Sequence, residues 1–125
     1  MDKLSYYAPT VGRILLGLLF LVAGIGKLGD VPGFAGYLAY GGLPAFLAWP
    51  SILFEIVLGV AFIVGFQIRP LALLGAGFCI VTALLYHFDP ADQMQMNNFL
   101  KNLAIAGGFL LAFANGAGPL AIDKK

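Results

Sequence analysis

The chain has 125 residues, of which 61% are hydrophobic and 10% are charged, and its formal net charge is +1. Soluble domains carry about 25% charged residues, and a short chain cannot bury so much apolar surface in water. The composition therefore excludes an ordinary soluble domain and indicates an integral membrane protein associated with a lipid bilayer. The near-neutral charge argues against a nucleic-acid partner, because no basic surface is available to neutralise phosphates.

The counts of cysteine and histidine exclude several kinds of redox or metal centre. The chain has one cysteine, Cys79, and one histidine, His87. An internal disulfide, a CxxC redox pair and a cysteine zinc site all need more than one cysteine. The residues also provide no ligand set for an iron–sulfur cluster or a bis-histidine haem. We therefore predict no metal site and no covalently bound cofactor.

Four apolar segments, at about residues 11–28, 50–66, 71–86 and 99–114, are separated by turn-forming residues. Each is near the lower limit of the roughly 17–25 residues that cross a bilayer as a helix. Helix is required because backbone groups in lipid must bond within their own segment. The first segment could be a signal peptide, but no Ala-x-Ala site follows it and apolar runs continue, so we predict that it is retained.

The predicted fold class is therefore all-α, an integral membrane four-helix bundle that forms a single domain over residues 1–125. The connection between the first two segments is long and rich in aromatic residues, which favour the membrane–water interface. They are Phe34, Tyr37, Tyr40, Phe46 and Trp49. We predict a short interfacial helix over about residues 33–40.

Cations are distributed unevenly between the two predicted sides of the membrane. The side that holds both termini has Lys3, Arg13, Arg69, Lys124 and Lys125, whereas the other side has Lys27 and Lys101. Cytoplasmic segments are enriched in lysine and arginine. The distribution predicts a multi-pass protein with both termini in the cytoplasm.

Each predicted span has a stripe of small residues that includes a polar or charged residue. Small residues let membrane helices approach closely, so these stripes and their polar groups are expected to face the bundle interior. A charge at a helix centre costs about 2.5–3.5 kcal/mol on insertion scales and needs a partner or a purpose. The predicted polar pocket, in the outer half of the bundle, consists of Lys27, Glu55, His87, Asn98, Lys101 and Asn102.

Within this pocket we expect Glu55 to pair with Lys101 or with Lys27, and His87 to complete the cluster. Arg13 lies at the opposite, cytoplasmic end, where its long side chain is expected to extend to the interface. The cluster has two interpretations. It is either a structural ion pair that fixes the register of the helices, or a pocket that binds a small polar or quinone-like headgroup or relays protons.

An ordered set of short motifs extends over nearly the whole chain. It consists of Gly12-Arg13, Gly24-x-Gly26-Lys27, Gly42-Leu43-Pro44, Glu55 with Gly59, Gly65-Phe66, Arg69-Pro70-Leu71-Ala72, His87, Asn98 through Lys101-Asn102, Gly107-Gly108 and Gly116-x-Gly118 before Asp123. This set resembles the DoxX family, specifically the short DoxX-like four-helix proteins of the bacterial inner membrane. The resemblance implies that fold and location, and an association with membrane redox systems. It implies no catalytic residue.

The leading hypothesis is a small integral membrane subunit or partner of a quinone-linked redox or oxidative-stress system. Quinone would be the ligand of the polar pocket, and a redox enzyme would be the partner protein. The protein would at most be a subunit of a membrane oxidoreductase, without a redox centre of its own. The alternatives are a non-enzymatic membrane scaffold or assembly protein, and a carrier for small solutes that would require a homo-oligomer.

Overall fold

The computed structural model describes residues 2–123. Its α-helices are α1 (Lys3–Lys27), α2 (Val31–Tyr40), α3 (Ala48–Val64), α4 (Ile68–Thr82) and α5 (Gln93–Asn115). Short 3₁₀ segments, Leu28–Asp30 and Ala45–Leu47, flank α2, and one π-helical turn, Ala83–His87, follows α4. The predicted all-α bundle of four long helices is confirmed, with the short helix α2 between the first two.

The long helices extend beyond the apolar segments because polar residues cap their ends. The Asp2 carboxylate accepts a hydrogen bond of 2.8 Å from the Ser5 N–H, so α1 begins eight residues before the predicted start. Asp92 caps α5 in the same way, and α5 begins six residues early. Helix α3 ends at Val64, and the next residue, Gly65, has φ 80° and adopts the left-handed conformation that commonly follows the end of a helix.

Two helix pairs build the bundle. Helix α1 packs along α3, and α4 packs along α5, whereas α3 and α4 make few contacts although they are consecutive in the chain. Gly17 and Gly59 let α1 and α3 meet backbone to backbone, since a Cβ on Gly17 would lie 2.6 Å from the Gly59 carbonyl oxygen. The small-residue stripes are therefore used for close packing inside the bundle.

Aromatic side chains fill the centre between the two pairs. The ring of Phe109 is fully buried and packs edge-on against Phe20 and Phe62, with ring centroids 5.4 and 5.1 Å away. Gly75 of α4 makes room for Phe109, because a Cβ at Gly75 would lie 2.9 Å from that ring. The packing joins all four long helices around one core.

The expectation that Arg13 extends to the interface is wrong, because its side chain is only 2% exposed. Its guanidinium donates to five backbone carbonyl groups at one end of the bundle. They are Phe62 (2.9 Å), Ile63 (2.6 Å), Ala117 (2.8 Å), Pro119 (3.2 Å) and Leu120 (2.5 Å). These bonds use every N–H of the guanidinium and satisfy carbonyl groups that the end of α3 leaves free. The five carbonyl oxygens therefore take the place of water around the buried guanidinium of Arg13.

The segment 116–123 follows α5 and is held against the same end. The Asp123 carboxylate caps the start of α4, because it accepts hydrogen bonds from the N–H groups of Gln67 (2.8 Å) and Ile68 (3.0 Å). The Ile122 N–H donates to the Val64 carbonyl at 3.0 Å. The segment thereby ties the turn between α3 and α4 to Arg13.

Within residues 2–123, three helical stretches are long and apolar enough to cross a membrane: Lys3–Tyr40, Ala45–Val64 and Ile68–His87. Helix α5 supplies the fourth long helix of the bundle. Its first half contains Asn97, Asn98, Lys101 and Asn102, which lower its mean hydropathy. The number of crossings and the side on which the termini lie remain predictions.

Candidate functional site

The candidate site is a cavity of about 760 Å³ at the end of the bundle where α1 ends. Its volume falls within the roughly 300–1,000 Å³ that is typical of small-molecule sites. The wall is mostly apolar. Its polar side chains are Lys27, Tyr37, Ser51, Glu55, Thr82, Tyr86, His87 and Asn102. A few polar groups in an apolar wall are the usual composition of a ligand site.

An ion pair between Lys27 and Glu55 lies in the cavity wall. The ammonium nitrogen of Lys27 is 3.0 Å from Oε1 and 3.3 Å from Oε2 of Glu55. The Glu55 side chain is 7% exposed and that of Lys27 is 30% exposed. Gly24 permits this approach, because a Cβ on it would lie 2.7 Å from Cγ1 of Ile56 and 3.2 Å from Cβ of Glu55. Of the two expected partners of Glu55, Lys27 is the one in contact, and Lys101 is exposed on α5.

Helix α2 covers the cavity beside this ion pair. The Phe34 ring centroid is 5.2 Å from the Lys27 ammonium, a cation–π distance. The Tyr37 ring stacks on the ring of Tyr86 with centroids 4.7 Å apart. The Tyr86 hydroxyl donates to the buried Leu38 carbonyl at 2.8 Å. These contacts fix α2 to the ends of α1 and α4.

His87 lines the cavity and is held from behind by α5. Its Nδ1 lies 3.0 Å from Oε1 of Gln95, and because that oxygen can only accept, Nδ1 is the donor. The amide of Asn98 donates to the same oxygen at 3.3 Å. His87 and Tyr86 both belong to the π-helical turn, a rare geometry that is frequent at functional sites.

A second polar connection joins α4 and α5 along the cavity wall. The amide of Asn102 donates to the Thr82 hydroxyl at 3.0 Å and to the Cys79 carbonyl at 3.3 Å. The Thr82 hydroxyl in turn donates to the Phe78 carbonyl at 2.9 Å. The amide nitrogen of Asn102 and the Thr82 hydroxyl are therefore engaged within the protein, whereas the ion pair brings two opposite charges into the wall.

Four of the six predicted pocket residues line the cavity: Lys27, Glu55, His87 and Asn102. Asn98 lies behind His87 and reaches it through Gln95, while Lys101 is exposed and does not line the cavity. That the cavity binds a ligand stays a prediction. In residues 2–123, no group of three or more His, Cys, Asp or Glu side chains is arranged to hold a metal ion.

Sequence reasoning missed several residues of the site. Ser51 lies one helical turn before Glu55, so helical spacing from this predicted pocket residue could have found it. Thr82 lies one turn before Tyr86, which was not a predicted pocket residue. Gln95 gave no such signal, because it precedes the fourth predicted span. Tyr86 entered the prediction only as the last residue of the third apolar segment.

Comparison with known proteins relates the chain to inner membrane proteins. The DoxX family model matches residues 8–88, a range that contains Lys27, Glu55 and His87. The chain is 40% identical to the inner membrane protein YqjF of Escherichia coli (strain K12) over 124 residues, which cover 99% of this chain and 95% of YqjF. It is 31% identical to the inner membrane protein YphA of the same organism over 122 residues, covering 92% of this chain and 87% of YphA. No solved structure matches.

Proposed function

Since this chain belongs to the DoxX family of membrane proteins, we propose that its cavity binds the headgroup of a quinone of the inner membrane. The protein then serves as a small subunit or partner of a quinone-linked redox or oxidative-stress system. A partner enzyme supplies the redox centre, and this chain holds the quinone. The observation that carries the proposal is a cavity of about 760 Å³ with a buried ion pair in its otherwise apolar wall.

The ion pair has the donor and acceptor groups that a quinone head needs. A lysine ammonium has three N–H donors, and the two oxygens of Glu55 occupy at most two of them. At least one donor of Lys27 is therefore left for a quinone oxygen, and it is strengthened by the charge and by the poorly hydrated surroundings. Glu55 is the group able to accept or release a proton beside that oxygen. The aromatic rings of Phe54 and Phe78 provide flat apolar walls for the ring.

The experiment is to purify the protein with native lipids and to identify the quinones extracted from it by mass spectrometry. Wild-type protein should retain quinone above the amount expected from its lipid content, and both Lys27→Met and Glu55→Gln should retain much less. Lys101→Met and Asp89→Asn remove the same kinds of charge at exposed positions and serve as matched controls. Wild-type protein without retained quinone, and without binding of added quinone, would overturn the proposal.

The closed ion pair, at 3.0 Å, favours a second candidate function, a membrane scaffold or assembly protein. In that case the pair holds α1 to α3, and the partner protein binds the outside of the bundle. Glu55→Gln would then lower stability and partner recovery together, and quinone content would not differ from that of the lipid. Measuring the unfolding temperature of each variant alongside its quinone content separates the two functions.

A further inference from the structure

We infer that the ligand of this cavity enters sideways from the bilayer, between α3 and α4, and carries an apolar chain that remains in that gap. The inference deepens the proposed function and rests on it for the identity of the headgroup at Lys27 and Glu55. It adds the chemical class of the whole ligand, an amphiphile with a small polar head and a long chain, and the route by which it arrives.

The end of the cavity next to the ion pair is covered. Helix α2 lies over it, with Phe34 on the Lys27 ammonium and Tyr37 stacked on Tyr86. The Tyr86 hydroxyl fixes α2 by its hydrogen bond to the Leu38 carbonyl. Tyr37 and Lys27 keep part of their surface exposed here, but a ligand arriving from this side would have to displace these contacts, so the less obstructed entrance lies elsewhere.

The flank between α3 and α4 is open. The two helices are joined by the short turn at Gly65–Gln67 and make few contacts beyond it. Four residues of α4 line the cavity and are also exposed at the surface of the bundle: Leu73, Leu74, Gly77 and Val81. The cavity therefore reaches an apolar outer surface. In a bilayer that surface meets lipid chains, and an apolar chain is the occupant that matches it.

Side chains, and not backbone, cross this gap. The rings of Phe54 on α3 and Phe78 on α4 meet with centroids 5.2 Å apart, and both line the cavity. Rotation of two side chains is a fast motion that leaves the helices in place. The pair can therefore move aside for a ligand by side-chain rotation, and the packing given up is the contact of Phe78 with the Phe20 ring, whose centroids are 6.2 Å apart.

Gly77 offers a way to block the entrance without disturbing the fold. It lies in the cavity wall, and no atom lies within 4 Å of a Cβ built on it. Gly77→Phe adds a large side chain in this open space, and removal of a mid-helix glycine also favours the helix. Gly107 on α5 is a matched control, because its Cβ would also meet no atom within 4 Å and it does not line the cavity.

The entrance is tested with phospholipids that carry a photoreactive group near the end of an acyl chain, in nanodiscs containing the full chain. Cross-links to the cavity-wall residues Phe54 and Phe78 are quantified by mass spectrometry. They are expected in the wild-type protein and in Gly107→Phe, and should fall about tenfold in Gly77→Phe, which corresponds to about 1.4 kcal/mol of chain-binding free energy. Equal labelling of Phe78 in Gly77→Phe and the wild type, or no labelling of these residues in the wild type, would overturn the inference.

Quinone binding in the same nanodiscs separates this inference from the proposed function. Labelling of the cavity that Gly77→Phe abolishes, without any binding of quinone, would retain the lateral entrance and reject the quinone. Quinone binding at the same rate in Gly77→Phe and in the wild type would reject the lateral entrance and leave the proposed function standing.

Discussion

Gly59 of α3 lies against Gly17 of α1 so closely that a Cβ on Gly59 would be 2.7 Å from the Gly17 carbonyl oxygen. The same Cβ would be 2.5 Å from the backbone nitrogen of Leu21. These are contacts with backbone atoms, which cannot rotate away as a flexible side chain can. The pair fixes the distance at which α1 and α3 cross, and with it the approach of Lys27 to Glu55 farther along the same two helices.

We therefore expect Gly59→Ala to destabilise the protein, by about 1–3 kcal/mol as is usual for overpacking. Gly107→Ala is the matched control, because a Cβ there meets no atom within 4 Å. It should be neutral or stabilising by up to about 1 kcal/mol, since alanine is the better helix former. Equilibrium unfolding in mixed micelles measures both. Equal stability of the two variants would contradict the close crossing of α1 and α3.

Arg13→Lys should release the C-terminal segment although it keeps the positive charge. Lysine has three donors on one nitrogen and cannot reach carbonyl groups of both α3 and the segment 116–123, as the planar guanidinium does. Hydrogen bonds to charged groups contribute about 1.5–3 kcal/mol each, so amide exchange in this segment should accelerate about tenfold or more. The N–H of Ile122, which donates to Val64, is the reporter for hydrogen exchange.

Arg69→Lys is the control for this prediction, because Arg69 is exposed at the same end of the bundle and, although its guanidinium lies beside Gly116, it donates no hydrogen bond to the segment within residues 2–123. It should leave the exchange of the segment unchanged. If Arg13→Lys also left it unchanged, the five hydrogen bonds of Arg13 could not be what holds the segment in place.

Lys27→Met alone should lower the free energy of unfolding more than Lys27→Met combined with Glu55→Gln, which removes both charges. The single change leaves the Glu55 carboxylate, which is 7% exposed, without its partner. Breaking a fully buried ion pair from one side costs about 3–5 kcal/mol, and the 30% exposure of Lys27 makes the expected loss smaller than that. Lys27→Met combined with Glu55→Gln removes the unpaired charge and should recover much of this loss. Unfolding free energies of the single and double variants measure the coupling.

Lys101→Met provides the comparison, because Lys101 is exposed on α5 and should tolerate the change within about 0.5 kcal/mol. A double variant less stable than Lys27→Met would argue that Glu55 has a partner other than Lys27.

The sequence was sufficient to place Lys27 and Glu55 in one cluster, because helical spacing puts each on a stripe of small residues that must face inward. It did not decide between Lys27 and Lys101 as the partner of Glu55. That choice depends on which helices are neighbours, and α3 packs along α1 and not along α5. Such neighbour relations arise from packing between distant segments and leave no periodic signal in the sequence.

The hydrogen-bond partners of Arg13 could not be predicted from local sequence patterns, for a related reason. Its carbonyl partners in the segment 116–123 are more than 100 residues away in sequence. A glycine-rich chain end resembles an ordinary loop, and nothing in its composition indicates that it folds over a cation. The start of α5 at Gln93 was missed because the Asp92 cap, and not hydrophobicity, determines it.

Tyr86→Phe tests whether α2 is held as a cover over the cavity. The change removes one oxygen and with it the hydrogen bond of 2.8 Å to the Leu38 carbonyl. That carbonyl keeps its bonds from the N–H groups of Gly41 (3.1 Å) and Leu43 (3.0 Å), so the cost is the net contribution of one hydrogen bond, about 0.5–1.5 kcal/mol. The stacking of the ring on Tyr37 is kept, so α2 should loosen but remain folded. Hydrogen exchange of the amides of α2 should therefore become faster while that of α3 does not change.

Tyr40→Phe makes the same chemical change on α2 itself, at a side chain that is 86% exposed, and should have no effect. If exchange in α2 were equally slow in both variants, the hydroxyl of Tyr86 would not be what fixes α2 over Lys27 and Glu55.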